Sequence, residues 1–432
     1  MKKTLTLLAA ILILVTLGYP ATLRQEAENA VYSINALQNL PWKAKVPEST
    51  DLFESLGFET WEQVSSQVNK YRELPKEQID SFYQSASDGS RLTYTENSLY
   101  ASMIIWFYDA LRDGTVFPKD FIQKHTPVRN QSFYGSCWAF ATVGSLESAL
   151  LVQEDELAGS SVIPQRFSTD LAAYNQDSRY DFSEQFTAYH NIDWDMYLTW
   201  WYGLNPNNES ILQESNYDAG GNSVFGNYNL IRFGVPEEAD FPYDLNSFTG
   251  YFRWNPQNDN WQNKIRKTAK FIQLLSAYYS KLDGISYEDY IKSIKSLIMH
   301  FGSLAVSFKT PASYSYYSEG IYIPLETDYY GGGHAVTMVG WVSGETLQRL
   351  GVLEEASITY TDHLSPAEEK QYSTDLFWVI KNSWGNEWGM DGYYLVPALS
   401  KKQWDQGAVS NWLFEYNAMR VPVINETIDT SL

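Results

Sequence analysis

One sulfur atom restricts this chain more than any other feature: among 432 residues there is a single cysteine, Cys137. It can make no intramolecular disulfide, and it cannot anchor a zinc or iron–sulfur site that needs several thiolates. Cohesion must therefore come from packing. The composition permits that, because 44% hydrophobic and 16% aromatic residues against 19% charged can bury a large core, which rules out wholesale disorder. Length suggests roughly two or three structural units. The 31 Lys+Arg against 52 Asp+Glu give a net charge of −21, which argues against a polyanion-binding surface and hence against nucleic acid as a partner.

Lys2 and Lys3 precede an apolar run, Leu5–Leu17, followed by Gly18, Pro20 and Ala21. This is the architecture of a signal peptide over residues 1–21, so export is expected. The run is short against the roughly 18 residues needed to cross a bilayer. The alternative is an uncleaved anchor, which alone would give a membrane association. Residues 22–116 have no Cys and no His; helix-like patterns at Arg24–Leu40, Asp51–Gln84 and Ser98–Arg112 make them a mainly helical covering region without chemistry of its own.

The segment TPVRNQSFYGSCWAFATVGSLESALL, Thr126–Leu151, places the thiol. Gly135 and Ser136 form a turn, and the residues from Cys137 onward read as a mostly buried helix. Cys137 thus stands in a first helical turn, where free N–H groups and the positive dipole end favour thiolate, the form that attacks carbonyl carbon. A lone cysteine is otherwise a small buried hydrophobe; presentation from a glycine turn argues against that role.

A nucleophilic thiol needs a base. Of five histidines, His125 and His363 fall in polar loops, His190 in an aromatic stretch and His300 at the end of an amphipathic helix starting near Tyr287. His334 instead follows Gly331–Gly333 and opens a strand-like run, AVTMVGW, while a second such run, FWVIK, ends at Asn382. If the two runs pair antiparallel, the start of one lies beside the end of the other, and His334 faces Asn382. The Asn oxygen could then hold one imidazole nitrogen, leaving the other for Cys137.

The runs QSFYGSCWAF, HAV and NSWGNEWGMDGYY resemble the papain-like cysteine peptidases, with further likeness in FPKDF, FSEQ, AGG, GVPEEADFPY, GSLAVSF and YYSEGIY; the resemblance runs from Phe117 to Tyr394. It implies an α+β fold of two subdomains, one helical with Cys137 and one antiparallel and barrel-like with His334 and Asn382. The catalytic domain would span 117–396, with insertions near 152–181, 191–217 and 342–376, the first and third as charged surface loops, and a C-terminal tail from 397. It also implies a peptidase acting on peptides or proteins, with no metal and no cofactor. In that family likeness Cys137 is the nucleophile, His334 the general acid and base, Asn382 the residue orienting it, and Gln131 an oxyanion-hole donor. Gly220 and Gly221 would pair with substrate backbone, and Trp384, counted with the substrate-binding residues, would cover the Asn–His bond.

Two departures stand out. The family's usual disulfide would join the places held here by Tyr134 and Asp218, and both cysteines are missing together. The spacing from Cys137 to His334 and Asn382 exceeds the family's roughly 130–150 residues, in keeping with the insertions. Residues 22–116 lack the common propeptide helix pattern, so a prosegment role rests on position. Two other functions stay open: an aminopeptidase-type enzyme with the same triad, and a non-catalytic binder using Trp194, Trp200, Trp201 and Tyr202.

Overall fold

Among the described residues the longest strand is the one that carries His334. In the computed structural model the described residues are 23–37, 40–46, 117–157, 167–174, 177–190, 218, 220–244, 252–259, 261–268, 270–365, 367–410, 412–414 and 419–423. β6 (Tyr330–Ser343) is buried along most of its length, so it reads as a continuous apolar run rather than an alternating one, as a strand covered on both faces must. It pairs with β4 (Leu304–Pro311) on one side and β9 (Leu376–Lys381) on the other, while β2 (Phe121–Ile122) meets its far end. β10 (Tyr393–Pro397) extends the sheet beyond β9, and β11 (Met419–Val423) and β3 (Lys270–Leu274) extend it beyond β4. The order is β10-β9-β6-β4-β11-β3, and all these pairings are antiparallel.

The second layer is helical. α2 (Cys137–Leu157) packs against β6, β4 and β11 on one side and against α3 (Glu184–Tyr189) and α4 (Ser223–Arg232) on the other. Trp138, Ala139, Ala141, Val143, Leu146 and Leu151 are all buried; a helix enclosed from several directions carries apolar residues all round rather than along one stripe. α6 (Tyr287–Phe301) is the contrasting case. Its Ser286 cap accepts the Asp289 N–H, and Tyr290, Ile294 and Ile298 line its inner face, the i, i+4 spacing of an amphipathic helix. Helices plus an antiparallel sheet make the fold α+β. Among the described residues no helix is long and apolar enough to cross a membrane.

Several expectations change. Residues 342–376 are no plain surface loop: they contain α7 (Gly344–Arg349) and a hairpin of β7 (Ile358–Thr361) and β8 (Gln371–Thr374). Leu347 and Leu353 join the apolar cluster that holds Val342 and Phe377, Tyr360 and Tyr372 join the one that holds Trp404 and Trp412, and the buried Asp362 carboxylate accepts from Trp412 Nε1 and Gln403 Nε2. The stretch beyond 396 is not a tail either. α8 (Lys401–Gln406) opens on a Ser400–Gln403 capping box, and β11 lies between β3 and β4. His125 is buried, not in a polar loop, with Nδ1 2.6 Å from Gln123 O and Nε2 2.7 Å from Tyr393 Oη; burial lowers it to about 3. The N-terminal region is not wholly separate or helical: after α1 (Leu23–Asn35), β1 (Trp42–Ala44) pairs with β5 (Tyr317–Gly320), and buried Trp42 donates to Ile323 O at 2.9 Å. The signal-peptide segment, the patterns at 51–84 and 98–112, and the tryptophans of the 191–217 insertion lie outside the described residues.

Met419 of β11 is fully buried. Met419→Ala should cost about 2–5 kcal/mol, read by chemical denaturation; a loss under about 0.5 kcal/mol would mean that this strand is not part of the core.

Candidate active site

β6 and β9 run antiparallel with Thr337 opposite Lys381 and Ser343 opposite Leu376. This register carries the residue just beyond the end of β9, Asn382, back toward His334. His334 Nε2 lies 2.8 Å from Asn382 Oδ1. The same oxygen accepts the Ser383 N–H at 2.9 Å, which fixes the amide with its oxygen toward the ring. Nε2 must then be the protonated nitrogen of a neutral imidazole, leaving Nδ1 as the base. Trp384 stacks on the ring, with centroids 4.8 Å apart and planes inclined by 27°. Trp384 is 3% exposed, its ring lying against that of His334.

Cys137 opens α2 as expected and is partly exposed. Its sulfur lies beside the backbone amides of Ala335 and Trp138, which favour the thiolate, but burial outweighs them and pushes the thiol up to about 11. Burial likewise lowers His334 to about 4, against the pull of Asn382. A single charge on either group is costly here.

Gln131 is buried beside these groups. Ser383 Oγ donates to its Oε1 at 2.6 Å, and its Nε2 donates to Tyr134 O at 2.8 Å. Its carboxamide is thereby oriented from both ends, with one N–H not engaged by Tyr134. Gly220 adopts φ +76°, which favours glycine, and a Cβ on Gly221 would come within 2.6 Å of the Trp138 indole. Gly221 is exposed. Both glycines thus have a steric reason to be there, and the second leaves backbone open to solvent.

Sequence reasoning missed a buried ionic cluster adjoining this site. Lys381 Nζ donates to Thr126 O at 3.0 Å, Thr126 Oγ1 donates to Glu147, and Glu147 Oε1 accepts the Phe182 N–H at 2.8 Å. Lys381 and Glu147, together with Arg129, Glu184 and Asn382, line a water-sized pocket. Burial raises Glu147 against the pull of Lys381; burial and the carboxylates of Glu238 and Glu147 raise Glu184 well above the usual range; and burial lowers Lys381 to about 8. The available signal was Glu147, the one charged residue between Cys137 and Val152 of α2. Among the described residues no cluster of three His, Cys, Asp or Glu side chains is placed to hold a metal.

Comparison with known proteins fits this geometry. The sequence model of the papain family cysteine proteases matches residues 119–163 and 213–407, more than half of the chain. The chain belongs to that family and is a cysteine-type peptidase, with peptides or proteins as substrates. It is 24% identical over 330 residues, 76% of this chain and 72% of the relative, to a viral cathepsin of Orgyia pseudotsugata multicapsid polyhedrosis virus. It is 21% identical to mouse pro-cathepsin H over 63% of this chain and 56% of that protein. Among solved structures, the proform of the ragweed pollen cysteine protease Amb a 11 is 17% identical, covering 95% of this chain and 92% of that one, with a TM-score of 0.49.

Lys381→Met would leave Glu147 buried without its cation. It should cost about 3–5 kcal/mol, and adding Glu147→Gln should restore most of that loss; denaturant titration of the single and double variants checks both.

Proposed function

We propose that the chain is an exported endopeptidase that works through a Cys-His-Asn thiolate mechanism. His334 Nδ1 takes the Cys137 proton, and the thiolate attacks the scissile carbonyl. The Gln131 side chain and the Cys137 N–H hold the oxyanion, each such donor being worth a few kcal/mol of barrier. The imidazolium protonates the leaving amine, then His334 activates the water that releases the acyl-enzyme. Asn382 keeps the ring in the required tautomer. Gly220 and Gly221 pair with the extended substrate. The observation that carries this reading is the His334 Nε2 to Asn382 Oδ1 hydrogen bond, because it leaves the opposite nitrogen as the base.

Residues 1–21 would direct export and residues 22–116 would form a prosegment. Supporting the second point is the way β1 docks: Trp42 meets Tyr317 and Tyr322, and Tyr317 continues through Trp388 and Trp384 to His334 in one aromatic cluster. The family match also begins only at residue 119.

Cys137→Ala should abolish hydrolysis and labelling by a peptidyl thiol reagent while the protein stays folded; retained hydrolysis would sink the mechanism. Gln131→Ala should lower kcat by about 10²–10³. The Cys137–His334 pair carries one proton in both its neutral and its charged form, so kcat/KM should fall as pH drops through about 4, where burial places protonation of His334. Amino-terminal sequencing of the active form should give a start near Phe117; a start near Thr22 would make the N-terminal region permanent.

A further inference from the structure

Where the family resemblance places a disulfide, between positions 134 and 218, this chain makes a hydrogen-bonded clasp. Both carboxylate oxygens of Asp218 lie 3.0 Å from the Gly135 nitrogen and accept its N–H. Gly135 stands two residues before Cys137, and Asp218 two residues before Gly220. A Cβ on Gly135 would sit 3.0 Å from Asp218 Oδ1 and 3.6 Å from Gly220 Cα, so a larger residue here would crowd the carboxylate. The clasp therefore ties the turn that presents the nucleophile to the segment proposed to pair with substrate.

We propose that Asp218 is a positioning residue for substrate binding: its ionised carboxylate, clasping the Gly135 amide, holds Gly220 and Gly221 against the nucleophile turn, and the hold slackens when the carboxylate takes up a proton. A charged acceptor makes a hydrogen bond roughly twice as strong as a neutral one. Burial raises Asp218 to about 6, against the pull of Gly135 N–H, which puts the change in mildly acid solution. The ionisable groups that feel its charge are Cys137 at the start of α2 and Tyr243 on the loop following α4. Burial pushes the Cys137 thiol up, and burial raises Tyr243 well above its usual range, so neither changes charge near pH 6. No cation offsets Asp218 among the described residues. Tyr243 supplies a second, non-titrating link, its hydroxyl 2.6 Å from Ser136 Oγ and 3.1 Å from Gln131 O.

The sign separates this role from a merely structural one. The folded-state pKa of Asp218 lies above its ordinary value, so through this group the folded chain gains stability relative to the unfolded one as pH falls from about 6. The ionised clasp is thus no aid to global stability, and its loss should appear in substrate affinity instead.

The inference rests on the proposed thiolate chemistry, and the test separates the two. Active protein from expression of the full chain, as wild type and as Asp218→Asn, is assayed on a blocked peptide between pH 4.5 and 8. Wild-type KM should rise about 5-fold between pH 7 and pH 5 with kcat changing less than about twofold, matching the difference between a charged and a neutral acceptor. Asp218→Asn should show the raised KM already at pH 7 and no further rise at pH 5. A variant with wild-type KM and wild-type pH dependence overturns the inference, as does a wild-type KM that stays flat from pH 7 to 5, a measurement that needs no variant. Failure of a peptidyl thiol reagent to label wild-type Cys137 at any pH would instead overturn the mechanism itself.

Discussion

The arrangement depends on the register between β6 and β9. These strands are joined by a long excursion, yet their pairing brings Asn382, just past the end of one, to His334 near the start of the other. A shift of one residue would turn every side chain of a strand to the opposite face. That would take His334 away from Asn382 and from the Trp384 ring, and it would exchange the side chains packed on the two covered faces of the sheet, breaking their fit. Packing of the sheet therefore also enforces the geometry of the site. The excursion grows outward from the far end of the hairpin and is anchored on the apolar clusters of the main fold through Leu347, Leu353, Tyr360 and Tyr372, so its size does not disturb the pair.

Much of this was legible in the sequence because the chemistry is local. A glycine turn before Cys137 marks a helix start, and two strand-like runs bounded by His334 and Asn382 define a hairpin even when many residues separate them. What stayed hidden was non-local. β11 sits after Ala418 as a short apolar run, MRVPV, and nothing in those residues tells that β3 and β4 will enclose it. His125 sits among polar neighbours, and only the tertiary contact between its Nε2 and Tyr393 reveals its burial. Asp218 looks like a loop carboxylate until the chain brings Gly135 against it. The second and third departures share a cause: a polar side chain is read as solvated unless its partner is near in sequence, and these partners are far away.

A chain with one thiol must also fasten its cleft without covalent links, and it does so with polar ties of different strengths. Tyr243 bridges Ser136 and Gln131; Ser383 grips the Gln131 carboxamide; Lys381, Thr126 and Glu147 join the end of β9 to the middle of α2. Each is buried or nearly so, where an unmet polar group is expensive and a met one specifies a single arrangement. The ionic cluster adds little net stability by this reasoning. Its effect is to fix how the helical layer and the sheet meet, beside Asn382 and Ser383.

The position of β11 has a consequence for how the protein is made. Among the described residues β3 pairs with no strand other than β11, and β11 lies between it and β4. Until residues 419–423 emerge during synthesis, β3 and β4 present open edges, and the apolar surface that Met419 and Val421 will cover is bare. The nascent chain therefore carries a sticky, incomplete sheet from the synthesis of β3 and β4 until β11 has followed. Cys137, His334 and Asn382 all precede this segment in the chain, so the sheet that carries His334 is completed only after they have been made.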